Sequence, residues 1–347
     1  MKKLINHLTL FILVSLTVST GIWAMPAKNT DDAPSTLFEY MDQPEILKVT
    51  LEMDIENLLD NKKTNDFFPA TFSFQNSKGQ LSNWDIEVRA RGRFRRMSCE
   101  FPPLKLKFPK KEMKAEGFGK HNDVKLVTHC ADNKEAEENL FREYLTYKMY
   151  AELTSVSFRV QLIDITYVDT QTGAETNTYG ILIEDSDELA ERVNTKDCED
   201  CYGLTADNFD RSNLQIHDLF QYMIGNTDWS VSMVRNMKIL APETEEGKKM
   251  VAPYDFDFSG LVDASYAKPN ADIQQKDVRD RFYMGAEWTA AEWQETIDLF
   301  QNKHQIFMDM VDNFELINNK AKKDIKKYLN SFYAELDGGY IPTNGTH

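Results

Sequence analysis

Histidine and cysteine are scarce in this chain, and neither is spaced for metal. Six His and four Cys are spread over 347 residues. The single C-x-x-C, Cys198 to Cys201, has no second C-x-x-C or H-x-x-H to complete a zinc set. Its acidic neighbours Asp197, Glu199 and Asp200 raise rather than lower a thiol pKa, which argues against a redox motif. His121, His129 and His217 stand at no ligand spacing, and His129, between Thr128 and Cys130, reads as a packed strand residue. Positive charge is also short. Lys and Arg number 40 against 56 Asp and Glu, for a net charge of −16, so a uniform nucleic-acid binder is excluded by repulsion from phosphate. Long apolar runs are missing: the run from Leu8 through Val18 is too short to span a bilayer comfortably. No internal repeat is evident, and no nucleophile motif supports a hydrolase.

What is present begins with an export signal. Lys2 and Lys3 precede the apolar run, and small residues at Ala24 and Ala27 offer cleavage positions with no cysteine to accept a lipid. The expectation is a secreted or periplasmic protein with no stable membrane span after processing. Removal of Lys2 and Lys3 takes the net charge from −16 to −18. In an exported chain four cysteines can form two bridges in three connectivities. Cys99 and Cys130 end separate strand-like segments, so the favoured pairs are Cys99–Cys130 and Cys198–Cys201. A 41% apolar fraction with 21 Phe and 14 Tyr is enough to fill a real core.

After a polar spacer, apolar and polar residues alternate along 46–54, 70–75 and 84–91, where Trp84, Ile86, Val88 and Ala90 share one face. A further strand covers 104–108, so the first third reads as an antiparallel sheet. Leu140, Tyr144, Tyr147 and Ala151 then line one face of a helix over 135–153. Strands at 160–168 and 179–184 follow, then a short acidic helix over 185–193. A second helix over 212–224 has Gly225 as its stop signal, and a hairpin spans 236–240 and 249–254. The last eighty residues read as helical, opened by a Thr289/Glu292 capping box. The organisation expected is a signal over 1–27, a spacer over 28–45, a sheet-rich lobe over 46–185 and a mainly helical lobe over 186–340.

The densest chemistry lies in Gly225-Asn-Thr-Asp-Trp229, then Asn236, then Pro253-Tyr-Asp-Phe-Asp257. Asp228 falls just past a helix end, and Asp255 and Asp257 leave a short strand. This layout suits a phosphotransferase: Mg²⁺ takes one or two carboxylates with water and phosphate oxygens, while a separate carboxylate orients the attacking hydroxyl. Asp and Asn also cap and turn in most proteins. Two acids leaving a buried strand, however, need a counter-charge or a metal. A second feature is the run 89–96, five arginines around Gly92, with Lys105 and Lys107 on the next strand. A turn of backbone N–H groups and guanidinium groups suits phosphate. Glu138 or Glu143, on the following helix, is placed to pair with such a lysine.

These motifs resemble the spore coat protein H (CotH) family of atypical kinases. The likeness rests on Arg91-Gly92, on Pro-Leu-Lys-Leu-Lys over 103–107, on Tyr179-Gly180 leading to Glu184, and on the two acid motifs at 225–229 and 253–257. It spans roughly 84–262. The resemblance implies an α+β, protein-kinase-like two-lobed fold with ATP and Mg²⁺ between the lobes, and phosphate transfer to a protein or other hydroxyl acceptor. It further implies Asp228 as the catalytic acid, with Asn236 and Asp255 or Asp257 at the metal. Arg91, Gly92, Arg93, Lys105 or Lys107, and Glu143 fall at the phosphates, and Glu184 near the adenine-side connector. The alternative is a non-catalytic envelope or surface-assembly module on the same fold, with the acids holding a cation such as Ca²⁺.

Overall fold

The computed structural model describes residues 35–341 and 343, apart from 77, 78, 245 and 246. The expected export signal and the start of the spacer lie outside the described residues. Within the expected spacer, α1 (Leu37–Met41) buries Leu37, Phe38 and Met41 in the first core, with Thr36 as its N-cap. Five residues give too short a stretch for a helical period to be read.

The first body is a sheet of β1 (Leu47–Met53), β2 (Phe68–Gln75), β3 (Leu81–Ala90), β4 (Leu104–Lys107), β5 (Asp123–Val127), β6 (Val160–Asp169) and β7 (Glu175–Ile183). Helices α2 (Ile55–Asp60), α3 (Arg95–Ser98), α4 (Lys110–Ala115) and α5 (Lys134–Leu153) fall between these strands. The spatial order is β1-β2-β3-β4-β5-β7-β6, and β6 returns to β1 to close a barrel. This corrects the expected antiparallel sheet, because β1 and β6 pair in parallel, Leu47 opposite Ile163. Closure removes both sheet edges, and every strand then presents alternate residues inward. Val49 and Leu51, Phe72 and Phe74, Trp84 and Ile86, Leu104 and Leu106 fill the interior. Strand β5 is the strand-like segment expected before Cys130, and it ends at Val127, so His129 and Cys130 lie just past it.

After β7 come α6 (Ser186–Arg192), β8 (Thr195–Asp197), α7 (Arg211–Met223), β9 (Met237–Pro242) and β10 (Met250–Pro253), then α8 (Ala290–Asn313) and α9 (Asn319–Asp337). Strands β8, β9 and β10 form a second, three-stranded antiparallel sheet in the order β10-β9-β8. The capping box at Thr289 and Glu292 opens α8 as the spacing predicts. The second core gathers Phe141, Leu145 and Tyr150 of α5 with Leu219 and Phe220 of α7, Trp293 and Phe300 of α8, and Leu329 and Phe332 of α9. Val160, Leu162, Ile181 and Ile183 join it from the barrel's outer face, so α5 couples the barrel to the helices. The α+β class and the sheet-first, helix-last order are as the sequence reads; closure of the sheet is the difference.

Both disulfides form as expected, Cys99–Cys130 and Cys198–Cys201. Cys99 ends α3 rather than a strand. Among the described residues no helix is long and apolar enough to cross a membrane. The two bridges are compatible with a periplasmic or extracellular protein.

Candidate functional site

Helix α7 stops because Gly225 adopts φ +64°, with Gly225 N–H donating to Tyr222 O and Asn226 N–H to Gln221 O. That pair of bonds closes the helix in a left-handed cap and turns the chain back. Asn226 then accepts from Asp228 N–H at 2.9 Å, and the Trp229 indole donates to Asn226 O at 3.0 Å, which fixes the loop. Asp228 remains 37% exposed at the side chain. Asn236 Nδ2 donates to Asp228 Oδ2 at 2.9 Å, and an Arg235 guanidinium nitrogen lies 3.3 Å from Oδ1. Burial raises the Asp228 pKa, opposed by Arg235 and Asn236.

Strand β10 delivers the other acids. Tyr254 N–H donates to Asn236 O at 3.0 Å, so the turn after β10 lies against the Asp228 loop. Asp255 follows at φ +65°, a left-handed conformation uncommon outside glycine, and Asp255 N–H donates to Tyr147 Oη of α5 at 2.9 Å. Asp257 is buried and accepts from Tyr266 Oη at 3.0 Å. Burial drives the Asp257 pKa well above the ordinary carboxylate range, with the charges of Asp255 and Glu143 adding and Arg95 opposing. Glu143, buried on α5, is pushed up to about 7 by burial against the pull of Arg95. The acids of three separate segments therefore share one electrostatic cluster.

Lys105 and Lys107 do not pair with Glu143. Leu104 and Leu106 point into the barrel, so the two lysines point out: Lys105 bonds Asp123 at 2.5 Å and Lys107 bonds Glu87 at 2.7 Å. Glu143 takes Arg95 instead, at 3.3 Å, and Glu138 pairs with Arg142 along its own helix. The lysine that faces the second sheet is Lys125 on β5, directly opposite Lys105 in register. Its ammonium lies 4.7 Å from the Phe158 ring and 5.5 Å from that of Tyr254, the neighbour of Asp255. Burial, followed by the charge of Arg91, lowers its pKa to about 7. The spacing signal for Lys125 was a lone charge between Val124 and Leu126, which the sequence reading did not weigh.

Arg91 reaches the same region, since its charge acts on Lys125, Glu143 and Tyr254, and its N–H donates to Pro103 O. Gly92 turns the chain at φ +85° and Arg93 is exposed beside it. Glu184, at the start of the connector after β7, is fully buried and bonds Arg159 N–H and the Arg192 guanidinium, each at 2.6 Å. Its side chain fixes the connector. Beside that connector opens a groove of about 620 Å³, lined by Asp123, Asp185, Lys196 and Asp197. Asp185 and Asp197 act electrostatically on Lys125, so the groove adjoins that lysine.

Among the described residues no three His, Cys, Asp or Glu side chains converge to hold a metal ion by themselves. The donor set still fits a cation that retains water. Asp255, Asp257 and Glu143 gather against one buried guanidinium, Arg95, while the Asn236 amide donates to Asp228. Mg²⁺ is held by one or two carboxylates with water and phosphate completing its shell, whereas Ca²⁺ takes six to eight oxygens.

No family model matches the sequence, and no curated protein matches it. Among solved structures, a Helicobacter pylori proinflammatory kinase, CtkA, overlaps 71% of this chain and 91% of its own at a TM-score of 0.38 and 8% identity, too loose an overlap to decide the fold.

Proposed function

We propose that the chain is an exported phosphotransferase of protein-kinase-like architecture that uses ATP with Mg²⁺ and phosphorylates a protein or other hydroxyl acceptor. The observation that carries this reading is the convergence of Asp228 and Asn236 after α7 with Asp255 and Asp257 after β10, bonded loop to loop. Asp228, held by Asn236 and Arg235, orients the acceptor hydroxyl and takes its proton as the oxygen attacks the terminal phosphorus and the bond to the ADP oxygen breaks. Asn236 and Asp255 or Asp257 would hold Mg²⁺, which neutralises charge on the phosphates when bound. In protein kinases the phosphate lysine stands on the strand before the paired helix. Here that position is Lys125 on β5, before α5, in place of the expected Lys105 or Lys107, with Arg91 beside it. The groove by the connector is of a size for a nucleotide base and sugar.

The test is label transfer and nucleotide binding by the mature chain with labelled ATP and Mg²⁺. Asp228→Ala is expected to lower transfer by about 10²- to 10⁴-fold while nucleotide still binds. Lys125→Met and Asp257→Ala are expected to weaken nucleotide binding itself. A wild-type chain that neither binds nucleotide nor transfers label would overturn the proposal. Stabilisation by Ca²⁺ without nucleotide, lost in Asp257→Ala, would favour a cation-binding assembly module instead.

A further inference from the structure

Arg95 takes no part in phosphoryl transfer as proposed, yet it is buried where the acids meet. One guanidinium nitrogen lies 3.3 Å from Glu143 Oε2, another donates to Thr128 O at 3.0 Å, and Nε stands 4.0 Å from Asp257 Oδ2. Glu143 comes from α5 and Asp257 from the segment after β10, so one side chain bridges two elements far apart in sequence. Beside it, the Phe94 ring packs at 5.5 Å from Phe258 and 6.2 Å from Tyr266, whose hydroxyl holds Asp257.

A four-residue helix does not hold its own shape, because one turn fixes several dihedrals for few hydrogen bonds. Helix α3 is held from outside. Cys99, at its C-terminal end, is bonded to Cys130, Phe101 N–H donates to Cys130 O, and Lys62 Nζ donates to Cys99 O. Cys130 stands just before Asn133, the N-cap of α5. The disulfide therefore ties the end of the arginine's helix to the start of the glutamate's helix.

We infer that Arg95 is a positioning residue that holds Glu143 and Asp257 together, and that the Cys99–Cys130 disulfide is the clamp that keeps it there. Arg95 is the side chain that bridges Glu143 and Asp257, and its removal leaves buried polar groups short of a partner, so loss of the guanidinium releases the segment after β10 from α5. The inference rests on the phosphotransfer reading for what the acids are for; the contact itself does not.

Amide hydrogen exchange on the full chain, without metal or nucleotide, tests this. In Cys99→Ser/Cys130→Ser, exchange over 255–266 and over the first turns of α5 is expected to rise about tenfold or more, while α7 and α8 keep their protection. Cys198→Ser/Cys201→Ser is expected to leave both segments unchanged. Arg95→Met reproduces the clamp variant, and Arg95→Lys, which keeps the charge, restores a large part of the protection at 255–266. Exchange that rises only over 94–101, or an Arg95→Lys variant no better than Arg95→Met, would overturn the inference. Should Arg95→Met fail to fold, the clamp variant decides alone. A chain that shows this exchange pattern and binds no nucleotide would sink the phosphotransfer reading and leave this one standing.

Discussion

Glu188 of α6 carries a carboxyl whose surroundings favour its neutral form: it is 5% exposed, and burial, opposed by a bond from Thr36 Oγ1, pushes its pKa up to about 7. The folded chain thus holds a proton there that the unfolded chain releases near the ordinary value of 4.5. Stability follows the proton difference, so this group's contribution is present below about 4.5 and is lost as pH rises through about 7. Glu188→Gln is expected to be less affected by that rise, and urea unfolding at pH 5 and pH 7.5 should show the variant gaining on the wild type at the higher pH. An unchanged difference between the two would refute it. The same scale shows how sequence reading divides. Asp228, Asn236, Asp255 and Asp257 were legible because acids beside Gly and Pro at element ends are rare in combination. Lys125 and Arg95 were not, because a lysine's or arginine's role depends on what packs across from it.

Helix α7 illustrates the element scale. Its apolar stripe and the glycine at its end are both readable, and the structure adds why the glycine is required. Gly225 has φ +64°, and a Cβ there would collide with Tyr328 Oη, which donates to Arg279 O. Gly225→Ala is therefore expected to cost about 2–4 kcal/mol, from left-handed backbone strain and the displaced tyrosine. Denaturant unfolding measures it; a loss under about 0.5 kcal/mol, the range of a neutral surface change, would contradict the account. The helix read over 135–153 is α5 to within one residue, and α8 opens at the expected capping box, but the helical reading of the last eighty residues holds only from α8 onward. Helices α1 to α4 were missed, as each has six residues or fewer and is stabilised by what it packs on.

For the whole molecule, the two disulfides differ in weight. Cys99 and Cys130 are 31 residues apart in sequence, while Cys198 and Cys201 are 3 apart. A longer closed loop removes more freedom from the unfolded chain, so opening the first is expected to cost about 3–4 kcal/mol and the second about 1.5 kcal/mol. Thermal unfolding of the two double-serine variants compares them directly; equal losses would contradict the loop-length account. The sequence by itself determined the α+β order and the acids that stand at the ends of α7 and β10, because each follows from local periodicity or from residue chemistry at short range; among three cysteine connectivities it favoured the one the structure shows. Only the tertiary structure decided that the sheet closes on itself through a parallel pair, that Arg95 rather than a lysine meets Glu143, and that Lys125 turns toward the second sheet. Strand order and side-chain partners are set by contacts between segments from about fifty to more than a hundred residues apart, and a period of two or 3.6 carries no record of them.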